Sequence, residues 1–195
     1  RVDVRLLLAF DEAAIGDFFD DDTKLSVSWP LAFDGTIHHD IAFGAVPTRP
    51  GRPFFPVSWT DVSDGVRGFG YLTRGTQRHR VLGRTLSNVV AWGDDTDRIG
   101  NRAESVPRPW PKAFDQRLRG THLIEYALLP HEGAWVESGI VSEARSWNAP
   151  PFALETGRHD GVLPEALNAL SVGPAAIVPT AVLPAPGGVH VRIYE

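Results

Sequence analysis

Few of the side chains that could do chemistry stand close together in this sequence. His38-His39-Asp40 is the densest set, because imidazole and carboxylate bind zinc together. Alternation along a strand puts only His38 and Asp40 on one face, and no third ligand stands nearby. The run Asp94-Asp95-Thr96-Asp97-Arg98 offers carboxylates for a cation or for acid–base work. It lacks the glycine and distal glutamate of a calcium loop, so Asp–Arg pairs in water are the simpler use. His122 and Glu125 are three apart on one strand-like run and face opposite ways. His131 follows them, and all three read as structural polar groups. Ser63, Asp64 and His79 are hydrolase residue types, but no Gly-x-Ser-x-Gly elbow is present. No phosphate-cradling glycine pattern occurs either, and Gly68-Phe69-Gly70 is too short to count as one. Trp59, Trp92, Trp110, Trp135 and Trp147 could stack on the apolar faces of sugar rings, although core packing is their commoner use.

Composition narrows the classes. The 195 residues hold 43% hydrophobic side chains, enough for a core. Net charge is −5 and no long basic run exists, which argues against nucleic acid as a partner. No apolar stretch approaches the ~20 residues of a membrane helix, so no membrane partner is expected. Cysteine is absent, which excludes disulfides and thiolate metal sites here and favours a cytoplasmic setting. Methionine is absent too, and both ends are strand-like, so the expectation is a piece of a longer polypeptide.

The elements that would position these groups are mostly strands. Alternation predicts strands at Val2 to Phe10, Lys24 to Trp29 and Ile37 to Phe43; Gly68 to Thr73 and Gln77 to Val81 read as short strands around Arg74-Gly75, Arg84 to Trp92 as a buried strand and Thr121 to Leu129 as a strong one. Phe54 to Asp61 reads as extended, and Ser63-Asp64-Gly65 as a turn. Pro47 to Pro53 reads as a loop, and Gly93 to Arg119 carries no period. Val136, Ile140, Ala144 and Trp147 predict a helix over Ala134 to Trp147. Short strands follow near Leu170 to Val172, Ala175 to Val182 and Val189 to Tyr194. The class is mainly β: one large antiparallel sandwich with a short helix, residues 1–195 forming a single domain.

Three stretches together resemble one family. They are Phe55 to Leu72 with Thr73-Arg74-Gly75; Arg84 to Val90 with Asp94-Asp95 and Arg98-Ile-Gly-Asn101; and His122 to His131 with Trp135 and Asn148-Ala-Pro-Pro. Their order and spacing resemble the C-terminal region of glycoside hydrolase family 38, the α-mannosidases, especially the bacterial type. Arg84-Thr-Leu-Ser-Asn88 stands where the family pattern is Leu-Thr-Leu-Leu-Arg, and Val191 to Glu195 resembles the strand entering the family's last β-module. The resemblance implies a galactose-mutarotase-like super-sandwich packed against an N-terminal catalytic domain of the same chain. That domain would carry the zinc and the nucleophilic aspartate, so no catalytic residue, metal ligand or cofactor is expected within these residues. Asp94, Asp95, Arg98 and Asn101 match a family loop that approaches the sugar, and a mannose-containing carbohydrate is the implied ligand. Two alternatives stand beside this: a free-standing carbohydrate-binding or scaffold sandwich, and a mutarotase-like epimerase, which would need a His and a Glu in one pocket.

Overall fold

The computed structural model describes residues 1–16, 23–93, 117–157, 160–162, 164, 166–168, 170–173 and 177–194. The strands are β1 (Val2–Ala13), β2 (Leu25–Pro30), β3 (Thr36–Ile41), β4 (Gly44–Thr48), β5 (Trp59–Ser63), β6 (Arg67–Arg74), β7 (Arg78–Leu82), β8 (Thr85–Ala91), β9 (Leu118–Glu132), β10 (Val178–Ala185) and β11 (Gly188–Tyr194). One helix, α1 (Ile140–Asn148), is present among the described residues. Contacts divide the chain into two units, residues 1–41 with 45–150, and residues 42–44 with 151–195.

In the first unit, a six-stranded sheet runs β1-β9-β6-β5-β3-β4 and a three-stranded sheet runs β2-β8-β7. The pairs with a resolved register are antiparallel. Alternation explains the layering. Ile37, Val62, Tyr71 and Tyr126 point from one face of the large sheet and meet Val81 and Leu86 of the small one. The opposite face carries Trp59, Leu72, Ala127 and Leu129, covered by Ile140, Ala144 and Trp147 of α1. The first unit is therefore a mainly β sandwich with a helix on its outer face. Glycine permits that helix to approach: a Cβ on Gly70 would lie 2.7 Å from the Ile140 Cδ1.

A cation clamps the end of α1. The Arg74 guanidinium lies 4.2 Å from the centroid of the Trp147 ring, donates to Glu125 at 2.8 Å, and donates to the Trp147 carbonyl. These are the helix-end carbonyl and cation–π contacts expected of arginine. Glu125 also accepts from Arg5 at 2.9 Å, and the Arg74 hydrogen bond lowers its pKa. Arg74→Ala is expected to destabilise the chain by about 1–3 kcal/mol. Urea unfolding followed by Trp fluorescence checks this, and Arg74→Lys should recover only part of the loss.

The helix starts later than its apolar spacing suggests. Gly139 takes φ +71°, so 135–139 forms turns and the helix begins at Ile140. β4 occupies a stretch expected to be loop at its far end; Pro47 is tolerated because β4 is an edge strand. Phe54 makes only an isolated bridge to His79, and the strand proper starts at Trp59. Leu170 to Val172 is not a strand. In the second unit, β10 and β11 form a hairpin whose turn is Pro186-Gly187, with Gly187 at φ +79°, as a type II turn requires.

Candidate functional site

β6 belongs to the large sheet and β7 to the small one, so Gly75-Thr76-Gln77 crosses between the sheets. Gly75 takes φ +84°, which only glycine adopts readily. This crossing closes one mouth of the sandwich. A cleft of about 290 Å³ lies there, lined by Gly75 to Arg78, by Val89 to Trp92 at the end of β8, and by Leu118, His122 and Ile124 of β9. His122 meets Phe10 edge-on at 5.6 Å and has its Nε2 2.9 Å from the Arg119 carbonyl. The Lys24 ammonium lies 5.4 Å from the Trp92 ring centroid. Gln77 donates to the Val57 carbonyl at 3.3 Å, and the Arg78 guanidinium sits 5.4 Å from the Phe55 ring centroid.

Behind the cleft lies a buried polar network. His79 is fully buried, with Nδ1 2.8 Å from the Thr60 hydroxyl and Nε2 3.3 Å from the Thr76 carbonyl. A carbonyl only accepts, so Nε2 carries the proton and the Thr60 hydroxyl donates to Nδ1. The imidazole is neutral, since burial pushes its pKa down to about 3. Asn88 donates to the Thr76 hydroxyl at 2.9 Å and to the Tyr71 hydroxyl at 3.1 Å. Burial raises the Tyr71 pKa, so this hydroxyl stays protonated. The Thr73 hydroxyl donates to the Thr76 carbonyl.

The other face of the large sheet holds a second constellation. His131 lies across Gly68 to reach Asp61, with Nε2 2.6 Å from Oδ2. A Cβ at Gly68 would fall 2.1 Å from the His131 Cε1. The Asp61 side chain is 0% exposed and that of His131 7%. His38 is the cross-strand partner of Asp61 and packs at a tilt against Trp135, which packs at a tilt against Trp59.

His38 and Asp40 do share a face, with His39 on the other. His39 packs on Phe54 at 4.9 Å, and desolvation lowers its pKa. Asp40 is occupied in holding the entry to β5: its oxygens accept from the Ser58 and Trp59 amides at 2.9 and 3.0 Å and from the Ser58 hydroxyl. These residues do not fit a zinc site, and among the described residues no three His, Asp or Glu side chains gather as a metal requires. Asp64 makes the expected turn, accepting from the Val66 and Arg67 amides, both at 2.9 Å. Those bonds lower its pKa. His122 points between the sheets, whereas Glu125 lies on the helix face bound by Arg74 and Arg5, so the two do not share a pocket. Trp59 and Trp147 are buried, Trp135 packs against them, and Trp92 lines the cleft. Asp94, Asp95, Arg98, Asn101 and Trp110 lie outside the described residues.

No protein-family model and no curated protein matches the sequence. Among solved structures, the chain is similar to a protein in glycosyl hydrolase family 38 from Enterococcus faecalis, with a TM-score of 0.69 and 20% identity. It is similar also to an α-mannosidase from Enterococcus faecalis V583, with a TM-score of 0.70 and 20% identity. Each likeness covers 87% of this chain and 20% of the other, so the chain spans about a fifth of the length of either protein. At that identity the fold is what they share.

Proposed function

We propose that residues 1–195 form the non-catalytic C-terminal β-sandwich domain of a family 38 glycoside hydrolase, one that cleaves α-mannosidic bonds with retention through a glycosyl-enzyme. The observation that carries this is the fold itself, since 87% of the chain superposes on such enzymes. The zinc, the nucleophilic aspartate and the partner surface belong, on this reading, to an N-terminal catalytic domain of the same polypeptide. The described polar groups are in keeping with a supporting role. His79 and the Asp61–His131 pair are buried against protein partners, and Asp40 holds backbone amides.

Asp94, Asp95, Arg98 and Asn101 are proposed to line the sugar site of the complete enzyme. Trp92 and Leu118 stand close to either end of residues 94–116 and both line the cleft.

The isolated chain is expected to show no turnover of an aryl α-mannoside with zinc added. Clear, zinc-dependent turnover by residues 1–195 would sink the proposal. In the complete enzyme, alanine at Asp94 or Arg98 should raise KM while leaving zinc content unchanged.

A further inference from the structure

β1 is the outermost strand of the large sheet, and among the described residues it pairs with β9 on one side only. It is 12 residues long. An edge of that length presents a row of backbone donors and acceptors, and such edges are usually guarded by proline, lysine or an early bulge. β1 has no proline and no lysine, and its register stays regular from Val2 to Phe10. Its inner face is also incompletely covered. Val4, Leu6, Leu8 and Phe10 are half-buried, whereas Val62, Tyr71 and Tyr126 on interior strands of the same sheet are buried. On the outer face Leu7 is 72% exposed.

The order of residues along this edge is self-complementary. A second β1 laid antiparallel against the first must bring residues of the same face together. With a two-fold axis at Leu8, Leu6 meets Phe10 of the second copy and Leu7 meets Ala9. Beyond Phe10 lies the bulge, where Asp11 and Glu12 together take one place in the register. Counted in the same way from the free edge, that place stands opposite Arg5, and Ala13 stands opposite Val4. The apolar inner residues therefore meet one another, and a cation meets an acidic bulge twice. An axis at Leu7 would set Asp3 against the bulge, like charge on like charge. An axis at Leu6 would use Arg1, which Asp3 and Glu143 already hold. Arg5 is 78% exposed and spends only its Nε on Glu125. Glu12 is held by Arg117 and Arg119, but Asp11 is exposed and makes no hydrogen bond or ion pair among the described residues. We propose that this edge is a homodimer interface, two copies pairing antiparallel through β1 about Leu8 so that their large sheets become continuous. The glycosidase reading does not enter this proposal.

The test is sedimentation equilibrium of the 195-residue chain and of two charge-reversed variants, Arg5→Glu and Asp11→Arg. The parent is expected to dimerise reversibly. Each variant alone should dimerise about tenfold more weakly, since like charges then meet at both ends of the interface. An equimolar mixture of the two should recover the parent's affinity, because each reversed charge finds its opposite on the other chain. Residues 5 and 11 lie about 20 Å apart along one strand, so that recovery can arise only between chains. Amide hydrogen exchange in β1 should slow as concentration rises, while β4, the other edge of the sheet, stays unchanged. A chain that remains monomeric up to about 1 mM would overturn the interface. So would a dimer in which the mixture is no tighter than its two components. A longer polypeptide that contains this chain, stays monomeric and protects the outward β1 amides would also overturn it, since another of its own strands would then hold the edge.

Discussion

Replacing His131 with alanine is expected to lower folding stability by about 3–5 kcal/mol. Asp61 has no access to water, and among the described residues its hydrogen-bond partner is the His131 ring at 2.6 Å. Its other oxygen is buried without a partner among the described residues. Removing the ring strands the carboxyl group, and no solvent is at hand to compensate it. Gly68→Ala should act through the same pair, because the new methyl would occupy the space of the His131 ring. The two substitutions combined should therefore cost much less than their sum. Replacing Asp61 and His131 together with apolar residues should be far milder than His131→Ala alone. Urea unfolding of the four variants measures all of this. A loss below about 1 kcal/mol for His131→Ala would show that the pair contributes little.

Acid should weaken the chain well before its carboxylates titrate. His79 is neutral when folded, with a pKa lowered from 6.5 to about 3 by burial. The unfolded chain takes up this proton below about pH 6.5 and the folded one does not until about pH 3. Its neutral form thus gives full stability above pH 6.5, which is lost as pH falls through that window at about 1.4 kcal/mol per unit. Between pH 7.5 and pH 5 the loss from this residue is about 2 kcal/mol. His79→Gln keeps one donor and one acceptor and cannot titrate, so its stability should vary less with pH by that amount. Denaturant midpoints at the two pH values decide the matter. Parallel pH dependence in both proteins would mean that His79 takes up its proton in the folded chain as readily as in the unfolded one. Asp64 and Glu125 act in a lower window, since their depressed pKa values matter only below the usual carboxylate range.

Local physics was legible in the residues and long-range pairing was not. Alternation placed β1 and β3 because each turns one face to a core, whereas β6 and β9 pack apolar residues on both faces and read as strands from their apolar runs. Asp64-Gly65 announced a turn through backbone preferences that need no tertiary context. The helix starts later than the spacing predicts because Val136 continues the apolar spacing, while Gly139 breaks the backbone. β4 was missed because Gly44 and Pro47 hide an edge strand. Among the candidate site residues, His131 was read beside His122 and Glu125, its neighbours on the chain. Its true partner is Asp61, seventy positions away, and only the sheet register brings them together. A signal did exist. Gly68 and Gly70 alternate on one strand, which marks close approach by bulky neighbours on one face. The cleft was invisible for a related reason: three elements meet there, and none carries a motif of its own.

The pairing of β1 with β9 reaches beyond the finished fold. Arg5 and Glu125 are 120 positions apart in the chain, yet adjacent in the sheet. A ribosome adding about 5–20 residues per second would take roughly 6–24 s to supply the partner strand. For that time Leu6, Leu8 and Phe10 lack the strand that pairs beside them. Of the described strands, β1 is thus made first and is among the last to be paired, and its synthesis should depend on chaperones that shield apolar segments until β9 follows.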